Sequence, residues 1–160
     1  MRSSRNHRLS ALILTLIAAI AIGACAAGHP LEPYFDAELG QYVVRYEAPN
    51  ALVQTLRLSH AELTAGDTLV VVSTVVNHGD EAADVTARIC GLDLRTELDL
   101  REFSGRCMAY SAQRHLAPGD SVWASDGGIV ASRPGRYTLR VRHVLDPQSW
   151  VEVRIRVLES

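Results

Sequence analysis

The chain has 160 residues, a formal charge of −2 and nearly half of its residues hydrophobic. That is one domain's worth of chain with enough apolar surface to close a core, which excludes wholesale disorder. All 16 of its Lys+Arg side chains are arginines, and its mildly acidic total argues against nucleic-acid binding, which needs net positive charge to meet phosphates.

Residues 1–8 (MRSSRNHR) are polar and hold Arg2, Arg5 and Arg8, whereas residues 9–22 (LSALILTLIAAIAI) are apolar apart from Ser10 and Thr15. A positive start, a short apolar run and small residues beyond it read as an export signal. A retained transmembrane helix needs about 20 apolar residues, and this run is shorter. An ordinary cut after Ala24 or Ala26 is the other reading. The tetrapeptide Ile22-Gly23-Ala24-Cys25 resembles a bacterial lipobox. That resemblance implies removal of residues 1–24 and a diacylglyceryl thioether on Cys25, which becomes the N-acylated mature N-terminus. The mature chain then carries a formal charge of −5, since three arginines leave with the signal. Ala26, where some lipoproteins have Asp, implies the outer membrane, facing the periplasm. Several acyl chains anchor stably, because each buried CH₂ contributes about 0.8 kcal/mol.

Residues 25–50 are expected to form a lipid-anchored linker, because Pro30, Pro33 and Gly28 resist regular structure. Inside it Tyr42, Val44 and Tyr46 alternate with Val43 and Arg45, which predicts a short strand paired with residues 34–37 across Glu38-Leu39-Gly40. Residues 51–160 are then read as one domain. Leu52, Leu56 and Leu58 share a face of the segment 52–58. Thr64-Ala65-Gly66-Asp67 is a turn, and residues 68–77 (TLVVVSTVVN) form a β-branched strand. Asn77-His78-Gly79-Asp80 turns into 84–90, with Val85, Ala87 and Ile89 inward. Leu92, Leu94, Leu98 and Leu100 predict one or two short edge strands, and residues 101–106 a polar loop. Further strands are expected from residue 107, over 121–125 after Pro118-Gly119-Asp120, over 136–144, and over 151–157 (VEVRIRV). Asp126-Gly127-Gly128 reads as flexible. The last two strands put Arg136, Arg140, Arg142, Arg154 and Arg156 on one face, either as a solvated face or as a patch for an acidic partner.

Short strands, regular turns and no helix in the mature chain predict an all-β, antiparallel, immunoglobulin-like sandwich of about seven strands. Residues 68–80, Leu116-Ala117-Pro118-Gly119-Asp120 and Pro134-Gly135-Arg136-Tyr137-Thr138, in that order, resemble the BsuPI-type proteinase-inhibitor family and related adhesion-type modules over roughly residues 52–144. The resemblance implies that sandwich, with protease inhibition as one activity, although no reactive-site residue can be matched. Gly135-Arg136-Tyr137 also resembles the tyrosine corner of such domains. The antibody-type disulfide between the second and sixth strands has no cysteines here.

With Cys25 taken by lipid, Cys90 and Cys107 remain, an even pair that is expected to form a disulfide in an oxidising compartment. No Cys-x-x-Cys, His-x-x-x-His or Gly-x-Ser-x-Gly pattern is present. Asp93, Glu97, Asp99 and Glu102 cluster without the spacing of a calcium loop. The expectation is therefore a non-enzymatic module, with no cofactor and no metal, held at the membrane by its lipid. It would present residues 91–106 and 126–133 to a protein partner, because binding residues concentrate on loops held by a rigid scaffold.

Overall fold

The structure is a computed structural model that describes residues 30–48, 50–102, 110–145 and 149–159. Cys25 and Cys107 lie outside the described residues, as do residues 1–24, where an export signal is expected, and Asp146-Pro147-Gln148.

Alternating apolar and polar residues fold the described chain into strands alone. They are β1 (Tyr34–Asp36), β2 (Gln41–Glu47), β3 (Leu52–Leu58), β4 (Glu62–Leu63), β5 (Thr68–Asn77) and β6 (Ala83–Cys90), then β7 (Asp93–Thr96), β8 (Leu100–Glu102), β9 (Tyr110–Leu116), β10 (Ser121–Val130), β11 (Gly135–Arg142) and β12 (Val151–Val157). One sheet has the order β1-β2-β3-β5-β10-β8, and a second has β4-β12-β11-β7. The ribbon β6-β9 joins the second sheet through a bridge between Ala87 and Val144. The chain crosses between sheets from β5 to β6 and from β10 to β11. The arrangement β3-β5-β10-β8 against β12-β11-β6 is that of an immunoglobulin-like sandwich. Two short pairings are parallel, both on the outer edge of β12: Glu62–Leu63 beside Arg156–Val157, and Leu31 beside Val153.

Twelve strands are described where about seven were expected, and two differences account for three of the five extra. The segment 34–47, read as part of a linker, is a hairpin that extends the first sheet: Tyr34 to Asp36 pair with Gln41 to Val43, and Tyr42 to Glu47 of β2 pair with Val53 to Leu58 of β3. Asp36 stabilises the turn by accepting hydrogen bonds from the Glu38 and Leu39 amides, each at 3.0 Å. The other difference is an interruption. Ala87 faces Val144 and Asp93 faces Arg142, so residues 88–92 lie opposite His143 alone. β6 and β7 are thus one sandwich strand broken by a wide bulge, with Gly91 at φ +72°. The Leu92 amide at the end of the bulge donates to the Asp126 carboxylate, 3.0 Å away on the opposite sheet.

Gly127 and Gly128, read as a flexible break, sit inside the unbroken ten-residue strand β10. A Cβ on Gly127 would lie 2.1 Å from the Leu69 carbonyl oxygen, and one on Gly128 would lie 2.7 Å from that of Arg101. The glycines are there because both neighbouring strands approach too closely for a side chain.

The core lies between the sheets in two clusters. The larger contains Leu56, Leu58, Leu69 and Val71 from the first sheet against Leu139, Val141, Val153 and Ile155 from the second. The smaller packs Leu52, Val75 and Val122 against Val85, Ala87, Leu116 and Val144. Asn77, buried at the end of β5, closes that end. Its amide nitrogen donates to the carbonyls of Glu81 (2.8 Å) and Leu116 (2.9 Å), and its oxygen accepts from the Gly79 amide (2.9 Å).

Candidate functional site

The five arginines of the last hairpin do share the outer face of the second sheet, but carboxylates are interleaved with them. Arg140 pairs with Glu152, Arg142 with Asp93, Arg154 with Glu32 and Arg156 with Glu62. Asp93 also takes Arg88, so one carboxylate spans the two sides of the bulge. Burial alone would raise the Asp93 pKa. The hydrogen bonds from Arg142 and Arg88 outweigh it and hold the carboxyl below its usual range. The guanidinium groups of Arg95 and Arg142 each lie over the Trp150 ring, 4.7 Å from its centroid. Sequence alternation located the arginines. It could not locate three of the four partners, because Glu32, Glu62 and Asp93 come from segments far away in the chain.

The segments expected to meet a partner are largely occupied. In residues 91–102, Leu92 and Leu98 are buried in the main core and Asp93 is engaged by two arginines. Residues 103–106 lie outside the described residues. In residues 126–133, Asp126 to Val130 complete β10, and Ser132 Oγ accepts a hydrogen bond from the Asp99 amide at 2.6 Å. Asp93 is drawn to Arg88 and Arg142 rather than to Glu97 or Asp99. Among the described residues no group of three or more His, Cys, Asp or Glu side chains is placed to hold a metal ion, and no helix is long and apolar enough to cross a membrane.

A buried polar chain between the sheets was not anticipated. Gln54 and Ser73 occupy inward positions of β3 and β5, and His143 follows β11; all three are buried, His143 completely. Gln54 Nε2 donates to Ser73 Oγ (3.1 Å), and Ser73 lies 3.1 Å from His143 Nδ1. His143 Nε2 lies 2.9 Å from the Arg88 carbonyl, which only accepts, so Nε2 carries the proton. Nδ1 then accepts from the Ser73 hydroxyl, and every member is satisfied with a neutral imidazole. Burial lowers the His143 pKa, against a smaller upward contribution from the Arg88 carbonyl. The available signal was a polar residue at an inward position of each apolar strand, Gln54 in LVQTLRL and Ser73 in TLVVVSTVVN.

A charged concavity opens on the edge of β12. Leu31 reaches that edge through bonds to the Glu152 carbonyl (2.7 Å) and from the Arg154 amide (3.1 Å), and Ala61 through one from the Arg156 amide (3.0 Å). Between these two docked segments is a slot of about 340 Å³. Its rim is Arg136, Arg154, Arg156, Glu32 and Glu62, and its apolar wall is Pro33, Tyr42 and Ala61, with Ile155 contributing from a side chain buried in the core. The Glu32–Arg154 contact is 2.5 Å and the Glu62–Arg156 contact 3.5 Å. Arg136 stands directly across from Arg156 in the sheet register.

The tyrosine corner is present: Tyr137 Oη donates to the Arg133 carbonyl at 2.7 Å, tying the start of β11 to the preceding loop. No family model and no curated protein matches the chain. Among solved structures, a β-glucosidase from Listeria innocua in complex with isofagomine is similar at 14% identity and a TM-score of 0.41, over 86% of this chain and 20% of that one. A β-glucosidase from Erythrobacter marinus is similar at 20% identity and a TM-score of 0.39, over 84% of this chain and 18% of that one. The chain thus spans about a fifth of the length of those enzymes, and likeness at this level carries no argument about activity.

Proposed function

We propose that this chain is an envelope lipoprotein that holds an immunoglobulin-like binding or assembly module at the outer membrane, facing the periplasm, through acyl chains on Cys25. The observation that carries the reading is the N-terminal order of a basic stretch, a 14-residue apolar run and Ile22-Gly23-Ala24-Cys25. The fold sharpens it. Leu31 is already docked on β12, so five residues separate the anchor from the domain. At no more than about 3.5 Å per residue they reach about 20 Å, which keeps the module on the membrane surface. The partner in this reading is a protein, no catalysis is involved, and no cofactor takes part.

A Cys90–Cys107 disulfide belongs to the same proposal. Support comes from register: Cys90 is paired with Tyr110, and Cys107 is three residues before Tyr110 in the chain. The bond would staple the strand at its bulge and contribute about 3 kcal/mol through chain entropy.

The anchor is tested by mass spectrometry of the mature N-terminus. Tri- or diacylated Cys25 is the expected result, and Cys25→Ala should abolish it. An unmodified N-terminus at Ala26, Ala27 or beyond in the wild-type protein would remove the lipoprotein reading. Non-reducing peptide mapping of exported protein should recover Cys90 linked to Cys107; free thiols at both positions would remove the staple.

A further inference from the structure

From the slot on the β12 edge we infer a binding site for a phosphate-bearing anion the size of a phospholipid headgroup, with the anionic lipid of the anchoring membrane as its source. The choice of source rests on the anchored reading; the site itself does not.

Three guanidinium groups converge on the slot against two carboxylates, which leaves one positive charge uncompensated. The imbalance is local. Arg136 and Arg156 are directly opposite each other on adjacent strands, where like charges destabilise a sheet. Glu62 reaches only Arg156, at 3.5 Å, and no carboxylate among the described residues reaches Arg136. An anion between these two arginines relieves the repulsion, and guanidinium groups match phosphate oxygens in pairs. The volume of about 340 Å³ admits a glycerophosphate group, with the apolar wall of Pro33, Tyr42 and Ala61 to receive its carbon skeleton.

Position selects the source. Glu32 and Pro33 line the slot, seven and eight residues after Cys25. A site tethered this closely to a bilayer meets headgroups at a high effective concentration, so a weak intrinsic affinity suffices. The two glutamates set that affinity, because each competes with the ligand for an arginine.

The test is calorimetric titration of the full mature protein, purified in a neutral detergent, with three soluble probes: glycerophosphoglycerol, glycerophosphocholine and inorganic phosphate. Glycerophosphoglycerol should bind, and glycerophosphocholine should bind at least about tenfold more weakly, because its own cation meets the arginines. Arg136→Gln should weaken glycerophosphoglycerol about tenfold, the loss expected for one charge-assisted hydrogen bond. Glu62→Gln should strengthen it by freeing Arg156. Phosphate binding more tightly than glycerophosphoglycerol would overturn the lipid source and assign the site to free phosphate. Equal binding of the two glycerophosphodiesters, or no change in Arg136→Gln, would overturn the site. Failure of the anchor would show separately, in the N-terminal mass, and would leave the titration standing.

Discussion

The interior around Leu139 and the interior around His143 lie between the same two sheets, yet they are filled differently. Around Leu139 the neighbours are leucine, isoleucine and valine side chains from both sheets, and fit alone decides the energy. Around His143 the sheets meet through a directional chain, from the Gln54 amide through the Ser73 hydroxyl and the imidazole to the Arg88 carbonyl. The apolar part supplies stability without specifying one arrangement closely. The polar part adds little net energy when satisfied, but it penalises any register that breaks a link. It lies at the bulge, where β6 and β7 are out of step against His143, and so where a slip of the strand would otherwise cost least.

This contrast can be broken at either end. Leu139→Ala should have the largest effect, a loss of about 3 kcal/mol in denaturant unfolding, because a completely buried side chain leaves a cavity lined from both sheets. A loss below about 1 kcal/mol would mean that the main core collapses around the gap and is less closely packed than described. His143→Leu should cost about 2 kcal/mol, from the unsatisfied Ser73 hydroxyl and Arg88 carbonyl rather than from lost volume. Adding Gln54→Leu and Ser73→Val should recover part of that loss; further destabilisation instead would show that the chain of hydrogen bonds is not the source of the cost. Tyr137→Phe, which removes the bond to the Arg133 carbonyl and leaves the ring packed on the core, should cost about 1 kcal/mol.

The smallest effect is a pH dependence that separates the two regions. Burial lowers the folded pKa of His143 from 6.5, so below about pH 6.5 the unfolded chain binds a proton that the folded chain refuses. Stability should therefore be level above that pH and fall as the pH drops through the window beneath it. Asp93 acts lower: its pKa is held below 3.8, so its contribution is present above that value and lost as the pH falls through the folded one. Unfolding free energy measured between pH 4.5 and 7.5 should slope in the wild type and be flatter in His143→Leu. An unchanged slope in the variant would place the titrating group elsewhere.

Much of this architecture is legible in the sequence where a local rule suffices. Strict alternation identifies β12, β-branched composition identifies β5, and the Asx-type turn at Asp36 closes the hairpin that alternation at Tyr42, Val44 and Tyr46 suggests. Tyr137 is legible because its partner is only four residues away. Gly127 and Gly128 mislead because the same pair that loosens a free chain also permits close approach within a sheet. What decides between them is the position of the Leu69 and Arg101 carbonyls, which only the tertiary fold supplies. The bulge is hidden for a similar reason: Ile89-Cys90-Gly91-Leu92 has no unusual pattern, and the excess residues show only against the shorter partner segment at His143. The slot is the least legible feature, since its rim comes from three separate stretches: Glu32, Glu62 and the last hairpin.

The docking of Leu31 and of Glu62–Leu63 beside β12 has one more consequence. The sequence VEVRIRV is regular, β-branched and free of proline and glycine, the type of strand that recruits further strands when its edge is bare. Two short parallel stubs cap it, one at Val153 and one at Arg156–Val157, and neither is long enough to be a template itself. Leu31, on the stretch of chain that leads into the domain, and the β3–β5 connection therefore together also serve as a guard against fibrous self-association, at the edge most in need of one.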